Sequence, residues 1–236
     1  MEGRLEDWRV VSSLPTLQSS NFSTMTKISL RPATLDDAQE LAQLWVATFP
    51  DKFGPILGEK AEAILCDWLR LSQRHLQTTT LAEISGRLAG FIVLENSSAP
   101  PGDDGRWLWH ALQLHHGLFG ALRGLALMLL VDTHHQLQPH EVYIEMLGVD
   151  PVWRGLGLAQ ELLAYAEEVA QRHGVEQLTL YVVNDNTVAI RLYEKWGFTI
   201  ATQRRSRLLK WITGHPGYYK MVKQLSIINY QLSKRF

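Results

Sequence analysis

The stretch Val149-Asp-Pro-Val-Trp-Arg-Gly-Leu-Gly-Leu-Ala159 decides the fold. It closes a run, Glu141 to Val149, that reads as a strand. Asp150 and Pro151 make a turn, and Gly155 and Gly157 then open a helix. That helix runs from Leu156 to about His173, with Gly174 at a C-cap position. Glycine lets a backbone lie close to a ligand, and the first N–H groups of a helix have no internal partner. Together with the helix dipole they form a site for phosphate oxygens. On these residues alone the site takes an anion after a strand, and ATP, NAD and coenzyme A all remain open. The chain has no G-x-x-x-x-G-K-[ST], and no G-x-G-x-x-G with an acid some 20 residues on.

Working outward, Glu176 to Val183 reads as a strand and Thr187 to Lys195 as a helix. Phe198 to Arg205 and Tyr218 to Leu225 read as further strands. On the N-terminal side, Lys27 to Arg31 reads as a short strand. Thr34 offers an N-cap, with Asp37 three residues on like a capping box. The helix behind it carries Ala38, Leu41, Leu44, Trp45 and Phe49 at helical spacing. A second helix spans about Glu59 to Gln73. Thr78 to Ile84 and Leu88 to Glu95 form a hairpin around Ser85, Gly86 and Arg87. A βαβ stretch beside hairpins implies an α/β fold: a mixed central sheet of about seven strands with helices on both faces.

Two motifs carry a resemblance. Arg154-x-x-Gly157-x-Ala159 resembles the Gln/Arg-x-x-Gly-x-Gly/Ala signature of the GNAT (GCN5-related) N-acetyltransferases. Asn186-x-x-Ala189-x-x-Leu192-Tyr193-x-x-x-Gly197-Phe198 resembles the second signature of the same family. One helix and one strand separate them, and the strict resemblance covers about Tyr143 to Ile200. Ser29-Leu-Arg-Pro-Ala-Thr-x-x-Asp-Asp37 is similar to a typical start of these domains. The resemblance implies the GNAT-like acyl-CoA N-acyltransferase fold with acetyl-coenzyme A as co-substrate. It implies that the amides of Arg154, Gly155, Gly157, Leu158 and Ala159 hold the pyrophosphate. It implies that the pantetheine arm lies where the strands Glu141–Val149 and Glu176–Val183 splay apart. There the arm pairs with backbone near Leu147 and Val149, and Asn186 helps to hold it. Tyr193 is implied as the acid that protonates the leaving thiolate; Asn186 also reads as a helix cap.

The acceptor side is less determined. Glu145 is the best placed carboxylate for the general base that deprotonates the amine, because a glutamate among apolar strand neighbours suggests a site. Strict alternation puts it on the face of Tyr143, Leu147 and Val149. The second half is broadly similar to the ribosomal-protein alanine N-acetyltransferases. These place a catalytic glutamate five residues before the asparagine matched by Asn186, where this chain has Tyr181. About 45 residues, 96–140, are inserted between the third and fourth strands. Pro100, Pro101, Gly102 and Gly105 make its first part a loop, and Trp107 to about Gln138 reads as an apolar helix. The insertion falls where acceptor pockets are usually built, and Trp107 and Trp109 are its candidate pocket residues. Its histidines read as packing or solvent-facing groups. His110 and His115 lie off one helical face with no cysteine or acid cluster, so no metal is expected.

The chain has 236 residues, 46% hydrophobic and 20% charged, an ordinary globular composition. Its single cysteine, Cys66, excludes an internal disulfide. It reads as core filler inside a helix, which argues against a covalent acetyl-enzyme. The net charge of −1 gives no global pull towards nucleic acid. The most apolar run, Gly117 to Val131, is broken by Arg123 and falls short of the roughly 20 residues of a membrane span. Residues 1–24 read as a disordered arm without a secretory h-region, and residues 25–236 as one acetyltransferase domain. A start at Met25 would remove the arm alone. The expectation is a cytoplasmic N-acetyltransferase moving acetyl to a primary amine of a small molecule or peptide, by direct attack in a ternary complex. A homodimer built on the insertion and the last strands is possible on this reading. A non-catalytic acyl-coenzyme A sensor is the alternative.

Overall fold

The structure, a computed structural model, describes residues 28–97, 104–131 and 135–226. The expected arm and Met25 lie outside them. Strand β1 (Ile28–Pro32) leads through a 3-10 turn (Leu35–Asp37) into helix α1 (Ala38–Thr48). The capping box forms as its residue types dictate: the Thr34 N–H and hydroxyl both donate to Asp37 Oδ2 at 2.8 Å. Arg31 then holds Asp37 and Glu83 together, which ties β1, the cap and the next strand. Helices α2 (Pro50–Leu57), α3 (Ala61–Ser72) and α4 (Arg74–Thr78) follow, then β2 (Thr79–Ile84) and β3 (Arg87–Asn96). The hairpin between them turns on Ser85 and Gly86, both at positive φ.

Helix α5 (Asp104–Val131) fills most of the insertion, and β4 (Glu141–Val149), α6 (Leu158–Arg172) and β5 (Gln177–Val183) form the βαβ unit. Helix α7 (Thr187–Lys195), β6 (Thr199–Arg205), α8 (Arg207–Thr213) and β7 (Gly217–Gln224) complete the order. The seven strands make one sheet, β1-β2-β3-β4-β5-β7-β6, in which only β4 and β5 pair in parallel. The expected mixed sheet with helices on both faces is the observed one.

Two cores lie on opposite faces of that sheet. On one face α1, α2 and α3 pack Leu41, Trp45, Phe53, Leu57, Ile64 and Leu65 against Phe91, Val93 and Met146. On the other, α6 and α7 pack Leu158, Leu162, Leu163, Ala166 and Tyr193 against Ile92, Ile144, Leu178 and Leu180. Alternation along β3 feeds the two cores in turn, with Phe91 and Val93 in the first and Ile92 in the second.

Three short helices differ from the sequence reading. The chain folds α2 despite Pro55 in its interior, because Pro50 sits at its start and Phe53, Ile56 and Leu57 are all buried. Helices α4 and α8 have only five and seven residues, too few for a periodic signal. The insertion helix ends at Val131 rather than near Gln138. It is broken at Gly117, whose φ of 65° and ψ of −175° are not helical. Helix α5 packs on α3 and touches α2 and α8. His115 Nε2 reaches Asp67 at 2.7 Å and His116 Nε2 donates to the Leu57 carbonyl at 3.1 Å, so these two histidines fasten it. Trp107 and Trp109 are partly buried against the same core. Leu114, Leu118, Phe119 and Leu122 face solvent. Among the described residues no helix is long and apolar enough to cross a membrane.

Candidate active site

Strands β4 and β5 part company midway. Glu141 to Ile144 pair with Gln177 to Leu180, and no pairing continues beyond. Residues 146–149 of β4 keep β3 on one side, and residues 181–183 of β5 keep β7 on the other. The gap between them opens directly towards the loop that follows β4.

That loop is shaped by its sequence. The Asp150 carboxylate accepts from the Val152 N–H at 2.8 Å, and Pro151 starts a 3-10 turn to Trp153. Arg154 is extended and exposed, and its Nε donates to the Val149 carbonyl at 3.2 Å. Gly155 and Gly157 both sit at φ 83°, where an L-residue is strained. A Cβ at Gly155 would meet nothing within 4 Å, so these glycines are required by conformation and leave open space above them. Leu158, only 1% exposed, anchors the start of α6 in the core, and Ala159 is half-buried beside it. Gly90 lets this anchor sit close, since a Cβ there would lie 3.0 Å from Leu158. The first amides of α6 therefore lie at the positive end of a 15-residue helix, beside glycines that put no side chain over them. Free amides, glycines without side chains and an unpaired strand edge suit a diphosphate followed by an extended amide chain.

Asn186 caps α7: its side-chain oxygen accepts from the Ala189 N–H at 3.1 Å. The cap reading is thus observed, and the exposed side chain stands beside the open end of β5. Tyr193 lies on the inner face of α7, 8% exposed, edge-on to Phe198 with ring centroids 5.8 Å apart. Burial pushes its phenol up to about 12. It therefore holds its proton across the physiological range.

Strict alternation fails in β4. A β-bulge falls where Val93 pairs Met146 and the next residue of β3, Leu94, pairs Ile144, which leaves Glu145 as the extra residue. The bulge flips the face of everything after it. Ile144 belongs to the α6 side, Met146 to the α1 side, and Leu147 and Val149 to the α6 side again. Glu145 therefore shares a face with Tyr143 but not with Leu147 and Val149, contrary to the sequence expectation.

Glu145 lies among cations that the sequence reading did not find. His75 Nε2 is 3.4 Å from its carboxylate, and His75 is itself buried against Trp45 and Trp68. Burial alone would raise the Glu145 carboxyl. The charge and hydrogen bond of His75, then Lys52 and Arg74, outweigh it and hold the carboxyl at about 2. A neighbouring cluster was also missed. Glu141, wholly buried, accepts from Thr179 Oγ1 at 2.6 Å, His135 Nε2 at 2.7 Å and the Gln138 N–H at 2.8 Å. His135 Nδ1 lies 3.2 Å from the Tyr181 hydroxyl, and its ring lies tilted against Tyr143 with centroids 4.4 Å apart. The signals available were a glutamate opening an apolar strand and a tyrosine where similar enzymes carry an acid. Among the described residues no three His, Cys, Asp or Glu side chains form a group that could hold a metal ion.

The chain is similar to known proteins in ways that match this geometry. The model of the acetyltransferase (GNAT) family matches residues 38–198. Mycothiol acetyltransferases of Geodermatophilus obscurus and Streptosporangium roseum are each 48% identical to it, over 59 and 69 residues, or 25% and 29% of this chain. The chain covers only 18% and 20% of their lengths. A crystal structure of an acetyltransferase superposes with a TM-score of 0.60 at 25% identity, covering 84% of this chain and all of that one. With two thirds of its length matched by the family model, on the loop, the splayed strands and the capped helix described above, the chain belongs to the GNAT acetyltransferase family.

Proposed function

We propose that the protein transfers an acetyl group from acetyl-coenzyme A to a primary amine of a small molecule or peptide. One observation carries this reading: the glycine loop with its free helix amides stands at the mouth of the gap between β4 and β5. Arg154, Gly155, Gly157, Leu158 and Ala159 supply the amides for the pyrophosphate, and Leu147 and Val149 offer the strand edge to the pantetheine arm. Asn186 borders that arm while capping α7. Acetyl-coenzyme A, when bound, supplies the activated acyl group.

The protein's own groups then divide the work. Tyr193 enters from the α6–α7 face. A phenol at about 12 is too weak an acid to give up its proton outright to a thiolate of about 8.5. It acts as a hydrogen-bond donor that stabilises the departing sulfur. Glu145 enters from the opposite face. A carboxylate at about 2 attracts an ammonium group more readily than it removes its proton, so its proposed part is to draw in a cationic acceptor. The sole cysteine, Cys66, is buried in α3 and is not among these groups, which favours direct attack over an acetyl-enzyme. The exposed apolar side chains of α5 are where a second copy would dock.

Thiol release from acetyl-coenzyme A with a panel of primary amines tests the reading. Amine-dependent release is the expected result. Binding of acetyl-coenzyme A without release by any amine would instead indicate a non-catalytic sensor.

A further inference from the structure

The cluster at the base of the splay has the connectivity of a proton relay. Glu141 is wholly buried. Burial raises its carboxyl, but the hydrogen bonds from Thr179 and the Gln138 amide and the charge of His135 overcome this and keep it low. An ionised carboxylate only accepts hydrogen bonds. Thr179 and Gln177 donate to one of its oxygens at 2.6 and 3.3 Å. The Gln138 amide and His135 Nε2 supply the other at 2.8 and 2.7 Å. Nε2 must therefore carry the hydrogen, and in the neutral ring Nδ1 is then the acceptor. The Tyr181 hydroxyl, 3.2 Å away, donates to it. The order of donation is fixed: phenol to imidazole to carboxylate.

Its place in the fold gives this chain of bonds a use. Tyr181 is the first residue of β5 beyond the pairing with β4, so it stands at the opening of the gap. It is half-buried, whereas the carboxylate behind it is sealed. Leu178, Leu180 and Val182 point to the α6 side, which puts Tyr181 on the face opposite Tyr193. Tyr143 and Tyr218 wall it edge-on at 5.9 and 5.4 Å. The charged and titratable groups facing the cluster are Glu141 and Tyr143 of β4, Tyr218 of β7 and Arg204 of β6.

We infer that Tyr181, backed by His135 and Glu141, takes the proton from the acceptor amine as it attacks the acetyl group. The inference rests on the acetyl-transfer reading above. As the amine nitrogen bonds to the acyl carbon and the carbon–sulfur bond breaks, Tyr181 accepts the nitrogen's proton on its phenol oxygen. It passes its own proton to His135 Nδ1. The imidazolium so formed is held by the Glu141 carboxylate until its proton leaves to solvent. The thiolate gains one proton from solvent, so amine and thioester become amide and thiol. Tyr181 is the catalytic residue here, and His135 and Glu141 are positioning residues. A buried carboxylate behind an imidazole would otherwise be a costly way to pack a strand end.

The test compares wild type with Tyr181→Phe and His135→Gln as full chains. Thiol release from acetyl-coenzyme A is followed with spermidine, glucosamine and an alanyl peptide between about pH 6 and 9. Tyr181→Phe keeps the ring contacts and removes only the hydroxyl, so it decides the matter if His135→Gln fails to fold. Both variants should keep the rise in thermal midpoint that acetyl-coenzyme A gives. For the amine that wild type uses, kcat/KM should fall about 10²-fold or more. Referred to the neutral amine, the pH profile of kcat/KM should differ between wild type and Tyr181→Phe. Wild-type rates and an unchanged pH profile in Tyr181→Phe overturn the relay and leave acetyl transfer standing. Wild-type protein that binds acetyl-coenzyme A yet releases no thiol with any of these amines overturns both.

Discussion

On one face of the sheet, the groups around the gap between β4 and β5 come from a single run of chain. The glycine loop, α6 and α7 follow one another between Arg154 and Phe198, and each side chain is set by its own turn or cap. On the other face the groups come from scattered segments. Lys52 lies in α2, Arg74 and His75 in α4, His135 in the segment before β4, and Tyr181 in β5. The first face works through backbone amides, glycines and a buried phenol, with Arg154 as its charged side chain. The second is charged and depends on several helices packing correctly on the sheet. Local backbone geometry suits a ligand that is always the same, such as a diphosphate. A composite surface is free to vary with the acceptor.

This contrast can be broken most severely at Gly157. Gly157→Glu adds a side chain at φ 83° and a negative charge above the helix amides. Affinity for acetyl-coenzyme A should be lost, with circular dichroism unchanged. Normal affinity would move the phosphate site elsewhere. Tyr193→Phe strikes the same face more gently. It keeps the ring beside Phe198, removes one hydrogen-bond donor to the departing sulfur, and should lower turnover by about 10²–10³ with little change in coenzyme A affinity. Wild-type turnover would remove Tyr193 from the mechanism. On the opposite face, Glu145→Gln should raise the KM of a cationic amine by about tenfold and leave that of acetyl-coenzyme A alone. An equal rise in both would dissolve the division between faces.

The two faces should also fail at opposite ends of the pH scale. Glu145 has its folded value depressed to about 2, so its contribution is present above the usual 4.5 and is lost as pH falls from there through 2. Tyr193 has its folded value raised to about 12, so its contribution is complete below 10 and is lost as pH rises through 12. Thermal midpoints across pH should therefore converge with those of Glu145→Gln only in acid, and with those of Tyr193→Phe only in strong alkali. A Glu145 contribution that survives at about pH 2 would contradict the pairing with His75.

The same contrast explains what could be read from the chain. The sheet, α6, α7 and the Asn186 cap were legible because they rest on local periodicity, glycines and capping. The face of Glu145 was not, because one bulged residue reverses alternation and no residue type marks it. His75 and His135 were not, because their partners Glu145 and Glu141 are 70 and 6 residues away and meet them only once the sheet is built. The sequence offered Trp107 and Trp109 as acceptor-pocket residues, with packing as the alternative, and the structure lays both, partly buried, against the α1–α3 core. Their joint replacement by alanine is expected to lower the thermal midpoint, the mark of packing residues.

The claim on which the rest depends is that the glycine loop and the splayed strands bind acetyl-coenzyme A. A ligand that binds only the folded chain raises its stability as the ligand exceeds its Kd, by about 2.7 kcal/mol at 100 times Kd. The direct measurement is the thermal midpoint against acetyl-coenzyme A concentration, with desulfo-coenzyme A alongside. The account predicts a midpoint that climbs with concentration for both ligands, because pyrophosphate contacts dominate. No shift at millimolar acetyl-coenzyme A would contradict it.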